Sequence, residues 1–241
     1  MNAGSFTQRV LRTRLPGSRR SAAEKRIAKR QGPHSDPREG AHEKHDFDAL
    51  VGKSGWRRLP ASIQMRFASS SAADDVTYQG TMQSVRRSWA GYFIAQFCRL
   101  FGTPLTPFDG VDVPIEVRVH SNPAKGGMVW DRIYFFPGQV PIAVTSTKIF
   151  TSDNMLLECV GGGFGMRLKV FERDCKLHFL SREYFWRFGR FSIHLPHWIT
   201  PGVAHVIHSD LGDGWFRFQM TIRHRYLGVT FTQDGTFKEK E

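Results

Sequence analysis

The most explicit chemistry in this sequence sits in one short run, Trp130-Asp131-Arg132-Ile133-Tyr134. Alternate side chains of a strand share a face, so Arg132 stands between the rings of Trp130 and Tyr134, with Asp131 and Ile133 opposite. Such an arginine has two uses. It stacks on its neighbours as an exposed ladder that stiffens the sheet, or it points inward and contacts an anion. Trp215 and Arg217 repeat the pattern in a later strand. Glu158 lies among Leu156, Leu157, Cys159 and Val160. If it faces the interior it needs a partner, for which Arg132 is the candidate; otherwise it lies in solvent at a sheet edge. Trp130, Arg132, Tyr134, Glu158, Trp215 and Arg217 form the candidate ligand-binding set. The chemistry they offer is recognition of a carboxylate or phosphate head group.

Other patterns carry less. His194 and His197, and His205 and His208, have the spacing of paired metal ligands on a helix. On a strand that spacing sends the two imidazoles to opposite faces, and Pro196 opposes a helix through the first pair. Gly161, Gly162, Gly163 and Gly165 invite a phosphate-loop reading, but the next residues alternate as a strand and supply no helix N-terminus. A bulged turn fits better. No base and nucleophile can be assembled from spacing, so no catalytic residue, metal or cofactor is assigned. An acid–base role for Glu158 or a histidine is the enzyme reading left open.

The elements that position these residues are mostly strands. After Gly110 the hydrophobic period becomes 2, and Val113, Ile115, Val117 and Val119 alternate with polar residues. Similar runs follow at hairpin spacing, separated by turn residues. LGDG and QDG carry the Asp-Gly chemistry of tight hairpins, and Gly228 marks a bend between the last two strands. About ten antiparallel strands in a curled sheet or barrel are predicted, because short connections forbid parallel crossovers and a long meander must protect its edges. Before them come a short helix near Leu59–Ala68, with Ile63 and Phe67 one turn apart, and a strand over Val76–Val85. A helix over about 89–101 is capped by Ser88 and ends at Gly102. Its apolar stripe of Trp89, Phe93, Phe97 and Leu100 is widened by Ala90, Ile94 and Phe101. That predicts a buried helix, with a membrane-surface helix as the other reading.

Composition places the rest. The 241 residues are 40% hydrophobic and 13% aromatic, with 20 Phe, enough for a sizeable core. The formal charge of +12 is uneven: residues 1–58 hold 14 Lys/Arg against 6 Asp/Glu, and the remainder 20 against 16. The basic excess therefore belongs to residues 1–55, read as a disordered basic tail, and 56–241 is read as a single antiparallel β domain. No basic stripe on the folded part points to a specific nucleic acid. The first 23 residues contain no acid, as in a transit peptide; the preferred reading of that composition is a variable extension or a mis-assigned start. Cys98, Cys159 and Cys175 form no disulfide framework, which points to a reducing, cytoplasmic setting. The longest apolar run, Trp89–Phe101, is too short to span a bilayer and carries Gln96 and Arg99.

Taken in order, GWRRLP, VPIEVRVH, the W-x-R-x-Y strand, NMLLECVG, GFGMRLKV and WFRFQMTIRHRYLGV resemble the family called domain of unknown function 4166, over about residues 55–240. Members of that family stand alone or are joined to a saccharopine-dehydrogenase-like or epimerase-like nucleotide-binding domain. The resemblance implies a single domain here, with Trp130, Arg132 and Tyr134 as motif positions and no known activity. Two functions are carried forward. One is a non-catalytic β domain that binds an apolar or anionic amphiphilic molecule in an aromatic-lined interior. The other, which rests on the resemblance, is an accessory or interaction domain with a filled core, working beside an oxidoreductase-type protein partner.

Overall fold

A computed structural model describes residues 47–68, 75–99, 105–121, 127–151 and 153–240. Three short helices come first: α1 (Phe47–Val51), α2 (Lys53–Arg58) and α3 (Ala61–Ala68). Then come β1 (Val76–Arg87), α4 (Trp89–Arg99), β2 (Gly110–Ser121), β3 (Met128–Tyr134), β4 (Ile142–Phe150), β5 (Leu156–Cys159) and β6 (Phe164–Arg173). The chain closes with β7 (Lys176–Phe188), β8 (Phe191–Leu195), β9 (Val203–Gly212), β10 (Trp215–His224) and β11 (Gly228–Glu239).

Every pairing is antiparallel, as short connections require. The order β6-β5-β4-β3-β2-β1-β11-β10-β9-β7 is closed by a β6–β7 ladder into a ten-stranded barrel, and β8 adds to the upper half of β7. Closure removes the edges that an open meander would expose. The alternation read from the sequence selects the inner wall. Val113, Ile115 and Val117 are buried, while Glu116 and Arg118 pair with each other outside. Register then carries the inward choice across strands: Val117 lies opposite Arg132, which lies opposite Val144.

The two ends of the barrel differ. At the floor, Phe47 of α1 meets Phe67 of α3, Phe150 and Phe179 edge-on, with centroids 5.1, 5.0 and 6.0 Å apart. Phe47, Ile63 and Phe67 are fully buried. The domain therefore starts earlier than composition suggested. Residues 47–55, assigned to the tail, are largely helical and supply a core aromatic. The expectation of a disordered tail before them lies outside the described residues.

At the mouth, α4 follows β1 directly, and the Ser88 hydroxyl accepts a hydrogen bond from the Gly91 amide at 3.1 Å. The helix is where the sequence places it, but it is not a buried helix. Ala90, Gly91 and Ala95 are its buried residues, while Trp89, Phe93 and Phe97 are exposed. The reason is close approach. A Cβ on Gly91 would fall 2.0 Å from the Thr230 carbonyl oxygen of β11, so only a small-residue face can seat on the barrel rim.

Turn chemistry divides similarly. LGDG forms the β9–β10 hairpin, with Gly212, Asp213 and Gly214 all at positive φ. QDG is no turn: Asp234 and Gly235 lie inside β11, which runs on to Glu239. Gly161–Gly163 is a single 3-10 turn joining β5 to β6, and its Gly162 carbonyl accepts a hydrogen bond from Trp186 Nε1 at 2.9 Å. Among the described residues no helix is long and apolar enough to cross a membrane.

Candidate functional site

The barrel interior is hollow, not filled. A cavity of about 410 Å³ lies between the aromatic floor and α4, within the roughly 300–1,000 Å³ common for small-molecule sites. Its walls are mainly apolar, with Phe67, Phe179 and Phe218 toward the floor and Phe93, Phe97 and Ile199 toward the mouth. Lost packing in such a void costs stability, so a protein that keeps one keeps it against the general tendency of cores to fill.

Four sequence-selected residues line this cavity: Trp130, Arg132, Tyr134 and Glu158. Strand β3 delivers the first three from one face, and β5 delivers Glu158 across β4. Arg132 donates to the Ser146 hydroxyl at 3.1 Å, and that hydroxyl donates to Glu158 Oε1 at 2.7 Å. Arg132 Nη2 itself stands 3.6 Å from the same carboxylate oxygen. Lys148 is closer, with Nζ at 3.3 Å, and its ammonium also lies over the Trp130 ring at 4.6 Å. On the opposite wall Gln233 Nε2 donates to the Tyr134 hydroxyl at 2.9 Å.

The electrostatics follow from burial and proximity. Burial alone would raise the Glu158 carboxyl, but the Lys148 and Arg132 charges and the Ser146 hydroxyl outweigh it and hold it well below the usual carboxylate range. Burial pulls the Lys148 ammonium down to about 8, against the attraction of Glu158 and with help from Arg132. Two cations therefore share one carboxylate inside an apolar cavity.

His208 completes the floor. It is ringed by Phe67, Phe179, Phe216 and Phe218, with centroids at 5.2, 5.7, 6.1 and 5.4 Å. Its Nδ1 is buried and meets no hydrogen-bond partner among the described residues. Burial, then the nearby Arg66, Lys148 and Arg132, drive its pKa far below normal, so the ring is neutral. The Cys98 thiol is pushed up to about 11 and the Tyr184 phenol to about 12 by burial, so both keep their protons at neutral pH.

Two candidates leave the site. Trp215 is exposed, and Arg217 forms a bidentate pair with Asp234 on the outer wall. Here the ring–guanidinium pattern is the exposed ladder. Phe216 and Phe218, between and beyond them, take the inward positions. Lys148, Ser146, His208 and Gln233 were missed. A signal existed for two of them, since Val144, Ser146 and Lys148 share one strand face in IAVTSTKIF. Its inward sense needs the cross-strand register with Trp130 and Met128.

The paired histidines separate as a strand requires. His208 faces in, while His205 stacks outside on His178, with Nε2 3.0 Å from its Nδ1. His194 pairs with Glu183 at 3.0 Å. Among the described residues no three metal-ligating side chains converge.

No curated protein and no solved structure matches the chain. One family model does, described as "Domain of unknown function (DUF4166)", over residues 59–237. That span runs from the turn before α3 to within two residues of the end of β11 and takes in all ten barrel strands with the charged cluster. The chain belongs to the DUF4166 family.

Proposed function

We propose that the barrel binds an anionic amphiphile, with its apolar part in the aromatic cavity and its carboxylate or phosphate head beside Arg132 and Lys148. The observation that carries this reading is the charge count at the cluster: two cations against one carboxylate, all within an apolar cavity. An incompletely compensated charge in such surroundings is costly, and a second anion offsets that cost. Burial lowers the Lys148 pKa to about 8 even beside Glu158, so the one carboxylate does not fully offset the cost of keeping this ammonium in the cavity. The unpartnered Nδ1 of His208 offers a further polar contact at the floor. Arg132 supplies the planar fork suited to an oxyanion, held by Ser146 at 3.1 Å, and Lys148 over the Trp130 ring supplies the second cation.

The test is calorimetric titration with dodecanoate and, in parallel, with uncharged 1-dodecanol. Dodecanoate should bind one to one, and the alcohol at least about tenfold more weakly, since roughly 1.4 kcal/mol of head-group contact is enough for that ratio. Arg132→Met keeps much of the apolar stem and should reduce the preference for the acid. Equal affinity for acid and alcohol, or no binding of either, would overturn the reading.

A further inference from the structure

The apolar surface of this barrel is concentrated at one end. Among the described residues the exposed large apolar side chains crowd the mouth, and only Met65, Leu211 and Trp215 lie at the floor. Trp89 opens α4 and is 74% exposed. Phe191 lies at the β7–β8 hairpin tip, Trp198 in the turn between β8 and β9, and Tyr226 at the β10–β11 tip, 73, 68 and 70% exposed. β1 runs into α4, β7 turns into β8 and β10 turns into β11 at one end, and the β8–β9 turn leads into Val203, which pairs with Arg223 beside the β10–β11 tip. Isolated exposed aromatics are ordinary, but a cluster of them marks an interaction surface.

Charge says what that surface meets. Arg99, Arg187, Arg190, Arg223 and Arg225 are exposed on the same rim. The acids on its loops and strand ends, among the described residues, are Asp109 and Asp112, and Asp109 is held by Arg87 at 3.7 Å. The hairpin tips contrast directly. At the floor they carry Asp174 and Asp213; at the mouth they carry Arg190 beside Phe191 and Arg225 beside Tyr226. Amphipathic rings with arginines among them, projecting from exposed connections, match a water–lipid interface with negative head groups. The cavity opens at this same end, where Phe93, Phe97 and Ile199 both line it and face outward.

We infer that the mouth docks on an anionic lipid bilayer, setting the Trp89, Phe191, Trp198 and Tyr226 rings at head-group depth with the cavity opening toward the lipid. Docking stands on the surface alone; that the membrane is the source of the amphiphile rests on the ligand reading above.

The experiment is co-sedimentation of the full chain with vesicles of phosphatidylglycerol and phosphatidylcholine, against phosphatidylcholine alone. Binding should require the anionic lipid and weaken with salt. Trp89→Ser with Trp198→Ser should lower it at least about tenfold, since anchoring scales with buried apolar area, and Trp215→Ser at the floor should leave it unchanged. Should the double variant not fold, Arg190→Ser with Arg225→Ser replaces it and should lower binding and flatten its salt dependence. Full binding in these variants would place the contact elsewhere on the chain and overturn the proposal. So would a concentration-dependent dimer that the tryptophan variant dissolves, with no vesicle binding by the parent. Neither Trp89 nor Trp198 lines the cavity, so dodecanoate titration in solution on the same proteins reads the ligand proposal separately.

Discussion

At the scale of single residues the balance among Arg132, Lys148 and Glu158 decides what the cavity can hold. Glu158→Gln leaves two buried cations without their counterion and should cost about 3–5 kcal/mol in urea denaturation, the usual range for breaking a buried pair from one side. Dodecanoate should restore part of that loss, because it brings back a negative charge. Arg132→Met should cost less, since Lys148 still neutralises Glu158. Lys148 also sets a pH dependence. Its folded pKa of about 8 lies below the ordinary 10.5, so between those values the unfolded chain holds a proton that the folded one has released. Stability attributable to this group therefore rises as pH climbs from about 8 toward 10, by up to about 3 kcal/mol. Thermal melts across that window should show the rise, and Lys148→Met should remove it. Ligand binding runs the other way. An anion beside Lys148 raises its pKa, so dodecanoate affinity should be full below about pH 8 and fall as the lysine loses its proton.

At the scale of elements α4 is the informative case. Its helical period and cap were readable, while its expected end, with Leu100 and Phe101, lies outside the described residues; over Trp89–Arg99 hydrophobicity chose the wrong face. The rim of β1 and β11 admits a backbone-close contact, so Ala90, Gly91 and Ala95 pack and the aromatic stripe is left outside. Phe97→Ala should accordingly change the denaturation midpoint little, by about 1 kcal/mol or less, as for a largely exposed side chain. Phe67→Ala in α3 should cost about 3–5 kcal/mol, because that ring is fully buried among Phe47, Trp130 and Phe179. Gly91→Val should weaken the domain more than Phe97→Ala despite adding apolar surface, since its Cβ collides with the Thr230 carbonyl.

At the scale of the whole molecule the barrel is a closed wall with a plugged floor and an aromatic, cationic mouth. The floor depends on residues that composition assigned to the tail. A chain starting at residue 56 loses Phe47 from the core and should be about 3–5 kcal/mol less stable than one starting at residue 45, the cost of removing a buried phenylalanine. Comparing their urea midpoints tests where the domain begins. Equal midpoints would mean that α1 packs without contributing.

What the amino-acid sequence determined by itself was everything carried by local period and short connections. Alternation after Gly110 specifies strands, hairpin spacing specifies antiparallel neighbours, and the count of strands compels a curled or closed sheet. The same alternation put Trp130, Arg132 and Tyr134 on one face, and Glu158 among apolar neighbours that made an inward carboxylate plausible. It could not decide which face was inner. The ring–arginine pattern reads identically at Trp130-x-Arg132 and at Trp215-x-Arg217, and the first looks into the cavity while the second lies in solvent against Asp234. Phase is set by register across the ladder and by closure between β6 and β7, which are contacts between residues far apart in the chain. For the same reason Lys148 joined the site only in three dimensions, and His208 parted from His205. The hollow interior has the same origin, because the volume inside a barrel depends on its strand number, tilt and plugging rather than on any single strand.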